Sequence, residues 1–101
     1  SIIVGVIMDS TDRWYKKLYD EELKNNPPLP PWVSYPDIEK LSLFWKMGQG
    51  EEIIIKLFYY FKYSEKDTID RYKNDYPEPE GWKQYYSDVM KEKAKHEARS
   101  V

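Results

Sequence analysis

The chain contains no cysteine, which excludes disulfides and thiolate metal sites. It contains one histidine, His96. A histidine without a second histidine or a cysteine does not make an ordinary zinc site, and His96 has no serine or cysteine partner at catalytic spacing. It reads as a solvated residue of a polar tail. No apolar run approaches the length of a membrane-spanning helix, and there are no internal repeats. Neither sign of charge prevails: 16 basic and 18 acidic residues leave a net charge of −2, so there is no global electrostatic case for nucleic acid. No metal or other cofactor is implied. A small disulfide-free domain fits a reducing, cytoplasmic setting.

Aromatic residues are abundant. Ten Tyr, four Trp and three Phe stand among 101 residues, enough both to build a core and to leave a sticky surface. The length is that of one domain. Ser1-Ile2-Ile3-Val4-Gly5-Val6-Ile7-Met8 lacks a basic leader and a small-residue cleavage site, so it is a poor signal peptide. It reads as a buried strand or the first turns of a helix. As an unpaired apolar strand, residues 2–8 could also join two copies into a homo-oligomer.

Ser10-Thr11-Asp12 is a helix-start signal. Trp14, Leu18 and Leu23, flanked by Tyr15 and Tyr19, then predict an amphipathic helix over 11–25. Pro27-Pro28-Leu29-Pro30-Pro31 cannot be helix interior or central strand. Residues 26–40 therefore read as an extended arm, pinned by Trp32 and Tyr35. Pro28-Leu29-Pro30-Pro31 also matches a Pro-x-x-Pro ligand, but docking on the chain's own aromatic residues is the simpler expectation. Gly48-Gln49-Gly50 implies a turn needing positive φ, or a close backbone approach. Without a third glycine or a following Lys-Ser/Thr it is not a phosphate loop.

Glu51-Glu52 opens an apolar run to Tyr63. Glu52, Lys56, Tyr59 and Tyr63 would form one wet stripe on a helix, with Ile54, Leu57, Phe58 and Phe61 facing protein. Ile and Tyr alternation makes a strand the competing reading. Ser64-Glu65-Lys66-Asp67 resembles a capping box opening a helix over 65–75, with Ile69 and Tyr72 inward. Residues 76–82 break it. A last helical segment over 82–98 is expected to fray from Lys91 onward. The fold expected is mainly α: about four helices in one domain wrapped by the arm, with Trp14, Trp32, Trp45 and Trp82 meeting near the two-glycine turn.

The charged constellations favour surface roles. Glu21-Glu22, Glu51-Glu52 and Glu78/Glu80 would need burial to act as acids. Adjacent acids at a helix start are more simply dipole partners, and Glu78 and Glu80 read as wet loop residues. Lys83, Lys91, Lys93, Lys95 and Arg99 are interleaved with Asp88, Glu92 and Glu97. A basic face near Tyr85 and Tyr86 could touch a nucleic-acid backbone, but the mixture reads as solvated. Glu65, Asp67, Asp70, Asp75, Glu78 and Glu80 form the complementary acidic stretch.

Pro31-Trp32, Tyr35-Pro36, Trp45-Lys46-Met47-Gly48-x-Gly50-Glu51 and Tyr76-Pro77-Glu78-Pro79-Glu80-Gly81-Trp82 together resemble a group of short uncharacterised bacterial proteins. That group carries a Trp-Arg-Met-Gly-x-Gly-Glu core and a Pro-Glu-Pro-x-Gly-Trp element. The resemblance covers residues 13–86. This chain departs from it with Lys46 in place of Arg, Ile53 in place of an aromatic, and an added charged tail. The resemblance implies a grouping by fold and no particular activity.

Small size, abundant aromatics and the lack of a catalytic constellation point to a non-enzymatic protein-binding module: an inhibitor, an immunity protein or a defence-associated accessory. The contact residues expected are Trp32, Tyr35, Trp45, Lys46, Gln49, Glu51 and Trp82, with Asp70, Asp75, Glu78 and Glu80 as an acidic flank. A nucleic-acid accessory using the basic C-terminal helix is the alternative. A small enzyme built on Glu51 or Glu52 is a third reading and requires a deep pocket.

Overall fold

The structure, a computed structural model, describes residues 12–99, the last two by backbone alone. Segment 1–9, with the expected strand and oligomer contact, lies outside the described residues. Among those described there are helices and turns and no strand. Helix α1 runs from 12 through a π-turn at Tyr19–Leu23. Then come α2 (Pro31–Ser34), α3 (Gly48–Tyr63), α4 (Lys66–Asp75) and α5 (Tyr85–Arg99), with 3₁₀ turns at Leu43–Lys46 and Glu80–Trp82. The mainly α architecture is as expected.

The π-turn is written in the spacing of the apolar residues. Trp14 and Leu18 are four apart, but Leu18 and Leu23 are five apart, which a plain α-helix would place about 140° round its axis. The wider turn, closed by Lys24 N–H on Tyr19 O at 2.9 Å, compensates for the extra residue, and Leu23 is buried. Trp14 is not drawn in. It is 58% exposed and sits edge-on to Tyr15, so only three of the four tryptophans meet.

The arm is extended only as far as Pro30. Pro31 then occupies the first position of α2, where a missing N–H costs nothing. Pro30 and Pro31 are fully buried, and the Tyr72 hydroxyl donates to Pro28 O at 2.7 Å. This Pro-x-x-Pro stretch is therefore engaged by its own domain.

Residues 48–63 are helix, which decides against the strand reading. Glu52 and Lys56 pair at 3.0 Å. Leu57 and Phe61 are wholly inaccessible, while Ile54 and Phe58 are half-buried. Tyr59 departs from the expected wet stripe. It is buried because Tyr15 stacks on it at 4.3 Å and its hydroxyl donates to Asp12 Oδ1 at 2.8 Å. A tyrosine is apolar along its ring, so the docking of α1 decides its fate.

The expected capping box does not form. Glu65 is the N-cap of α4 and makes no side-chain cap bond. Ser64 is buried, with its hydroxyl 3.3 Å from that of Tyr19. Ile69 and Tyr72 face inward as expected.

Helix α5 continues to Arg99 rather than fraying at Lys91. Lys93 holds it in place: its ammonium donates to Phe61 O at 2.9 Å and Ser64 O at 3.3 Å. These carbonyls end α3, where a cation also meets the negative pole of the helix dipole. Lys93→Met keeps the stem and removes the donor. A loss of about 1–2 kcal/mol is expected in a denaturant titration, against no change for the exposed Lys95→Met. An unchanged midpoint for Lys93→Met would show that the clasp contributes nothing.

Candidate functional site

Three indole rings organise one end of the molecule. Trp32, on the single turn of α2, lies 5.6 Å from Trp82 between ring centroids. Trp82, on the 3₁₀ turn after Pro79, lies 5.3 Å from Trp45. Trp45 is fixed by its indole N–H donating to Glu39 O at 2.7 Å. Tyr35 packs edge-on to Phe44 at 4.8 Å and donates to Gln49 Oε1 at 3.0 Å. Tyr35, Trp45, Gln49, Trp32 and Trp82 are thus brought together, as the sequence suggested. Trp45 and Trp82 are nonetheless buried, at 6% and 5% exposure. Both rings help to build the cluster, and of the two Trp82 also lines a groove.

The two glycines place this end on α3. Gly48 has φ +59°, a conformation that costs a side chain energy. Gly50 lies so close to Phe44 that an added Cβ would strike the Phe44 carbonyl. Of the two alternatives the Gly-x-Gly element offered, Gly48 shows the positive φ and Gly50 the close approach. Lys46 and Glu51 flank the turn, and both are exposed. Glu52, paired with Lys56, is exposed as well.

A groove of about 740 Å³ opens between the arm and the 3₁₀ turn, lined by Trp32, Pro36, Ile38, Leu41, Pro79 and Trp82. Asp37, Glu39 and Lys40 edge it, and Gly81 lines it beside Trp82. Lys40 donates to Lys83 O at 3.3 Å, while the carboxylates of Asp37 and Glu39 belong to exposed residues. Leu41 is 88% exposed, and Leu43 and Met47 on the same segment are 66% and 59% exposed. Residues 41–47 are mostly apolar in sequence. Only Trp45 of that stretch is buried, and Phe44 is half-buried.

The acidic flank is not one surface. Glu78 is half-buried, not wet. Its Oε2 accepts from Tyr86 N–H at 2.6 Å and its Oε1 from Gln84 N–H at 3.3 Å, so it caps the first turn of α5 from a distance. Glu80 is exposed and pairs with Lys83 at 3.0 Å. Asp70 pairs with Lys66 at 3.2 Å. Asp75 lines a separate polar groove with Lys16, Lys24 and Arg71.

A further apolar groove, about 470 Å³, lies where α1, α3 and α5 meet, lined by Tyr15, Ile54, Ile55, Phe58 and Val89. His96 lines it too, with its ring 4.8 Å from Phe58, so it is not the wholly solvated residue expected. The Tyr85 hydroxyl is buried without a hydrogen-bond partner among the described residues, and burial pushes its pKa up. Desolvation likewise raises Tyr59, reinforced by its bond to Asp12.

Among the described residues there is no group of three or more His, Cys, Asp or Glu side chains placed to hold a metal ion. No helix there is long and apolar enough to cross a membrane. Compared with family models, with curated proteins and with solved structures, the chain matches none.

Proposed function

We propose that the protein is a non-enzymatic protein-binding module whose contact face is the groove between the arm and the Pro79–Trp82 turn. One observation carries the reading. Leu41, Leu43 and Met47 are all exposed on one short segment, and the first of them lines a groove together with Trp32 and Trp82. Concentrated exposed apolar surface around aromatic anchors is what interfaces require and what a free surface avoids. Inhibitors, immunity proteins and defence-associated accessories act by covering another protein, and that is the class in which we place it. The nucleic-acid alternative is less favoured, because Lys93 is turned onto α3 and Lys95 is paired with Glu92 at 3.3 Å.

Leu41→Asp tests the reading without touching the core. The variant is expected to melt with the wild type, within about 0.5 kcal/mol, and to lose a partner that the wild type captures from lysate of its own organism at high salt. Capture of the same partner in equal yield by both proteins would move the contact face elsewhere. Recovery of nucleic acid that is lost at high salt would favour the alternative.

A further inference from the structure

We infer that the groove takes an extended, proline-rich peptide segment flanked by basic residues, an identification that rests on the protein-binding reading above. Its walls are aromatic and prolyl: Trp32 and Trp82 with Pro36 and Pro79. A polyproline II segment has no internal hydrogen bonds and little conformational entropy to lose, and it docks by laying pyrrolidine rings between such walls. Gly81, beside Trp82, has nothing within 4 Å of where a Cβ would lie, so that side of the groove is open to a chain approaching the indole.

The same chain already holds a segment of this kind. Its own arm arrives in the polyproline conformation, with Pro30 at φ −68° and ψ 159°. It is received by a tyrosine hydroxyl on a prolyl carbonyl, Tyr72 on Pro28 O, with Pro30 and Pro31 buried. The chain thus already receives an extended proline segment through an aromatic residue's hydroxyl, and the groove beyond it is lined by indole and prolyl side chains. Charge sets the flank. Asp37 and Glu39, both exposed, line the groove against a single cation, Lys40, whose ammonium donates to Lys83 O. The rim thus favours Arg or Lys next to the proline run.

The test uses the full-length protein and three synthetic peptides of equal length: an arginine-flanked oligoproline, a glutamate-flanked oligoproline and an arginine-flanked glycine–serine peptide. Binding is read from tryptophan fluorescence and from the indole N–H resonances of Trp32 and Trp82. The arginine-flanked oligoproline is expected to bind saturably, roughly tenfold more tightly than the glutamate-flanked one, a difference of about 1.4 kcal/mol. The glycine–serine peptide should give no saturable response. Asp37→Asn with Glu39→Gln should abolish the preference between flanks and retain oligoproline binding, and Leu41→Asp should remove binding. No saturable binding of either oligoproline would overturn the inference. If Leu41→Asp still lost the captured partner, the protein-binding reading would stand and only the ligand class would fall. Equal binding of the glycine–serine peptide would overturn it as well. So would concentration-dependent self-association that shifts the same indole resonances, since the groove would then belong to a second copy.

Discussion

Replacing Gly50 with alanine will destabilise the protein by roughly 3 kcal/mol or more, although alanine is the better helix former. In an exposed helix interior that exchange stabilises by about 1 kcal/mol. Here the new Cβ would meet the carbonyl oxygen and carbon of Phe44, and its ring, all inside van der Waals contact. The first two are backbone and cannot swing aside. Relief requires the 3₁₀ turn Leu43–Lys46 to move off α3, and Trp45 sits on that turn. Displacing Trp45 disturbs its bond to Glu39 O and its contact with Trp82, so the cost spreads from one methyl group to the aromatic cluster. The other two glycines among the described residues are the controls. Gly48→Ala has open space but keeps φ +59°, and it should cost about 1–2 kcal/mol. Gly81→Ala has open space and no positive φ, and it should lie within about 0.5 kcal/mol of wild type. Denaturant midpoints of the three variants check the order. Equal midpoints for Gly50→Ala and Gly81→Ala would mean that the turn does not press on the helix.

The Gly-x-Gly element was legible because its demands are local: a positive φ and a missing side chain are properties of the residue itself. The same holds for the helix of 48–63, where Glu51 in its first turn and the Glu52–Lys56 spacing outweigh the β propensity of its isoleucines. Pro31 at the start of a helical turn is also local chemistry, yet the arm was read as extended throughout, because the four prolines before Trp32 obscured the one position where proline begins a helix. What escaped the sequence lies between elements. Tyr59 is indistinguishable from a surface tyrosine until Tyr15 covers it. Ser64 has the makings of a cap until Tyr19 approaches its hydroxyl. Glu78 resembles a wet loop acid until α5 presents its first N–H groups, and Lys93 resembles a tail charge until α3 ends beside it. The candidate site divides the same way. The aromatic residues were found from composition, but which ones would be walled in and which leucine left outside depended on where Gly50 lets the 41–47 segment lie.

Raising the pH above about 10 will unfold the protein cooperatively, and the buried phenols of Tyr72 and Tyr85 will ionise in the same step. Tyr72 and Tyr85 are buried, at 4% and 8% exposure. Burial drives both phenol pKa values up, and neighbouring tyrosines Tyr86 and Tyr76 add to the rise at Tyr72. Their folded-state values therefore lie above the unfolded value of about 10. Below that pH both states keep their protons, and the advantage of holding neutral phenols indoors is complete. Above it the unfolded chain releases protons that the folded chain retains. The unfolded state then binds fewer protons, and stability falls with rising pH. Each such tyrosine contributes a slope of about 1.4 kcal/mol per pH unit, so these two alone give roughly 3 kcal/mol per unit. Tyr59 and Tyr86, raised first by burial and then by Asp12 and Glu78 respectively, steepen it. A domain with the usual 5–15 kcal/mol of stability should lose its helical circular dichroism within about two to three units above pH 10, with tyrosinate absorbance rising at the same midpoint. Tyr72→Phe separates this from general alkaline damage. It removes the bond to Pro28 O and should cost about 1–2 kcal/mol at neutral pH, while making the alkaline slope shallower by one tyrosine's share. Ionisation of Tyr72 and Tyr85, assigned by comparison with their Phe variants, while the helical signal stays intact would show that these phenols are reached by water, and the buried aromatic cluster would have to be redrawn.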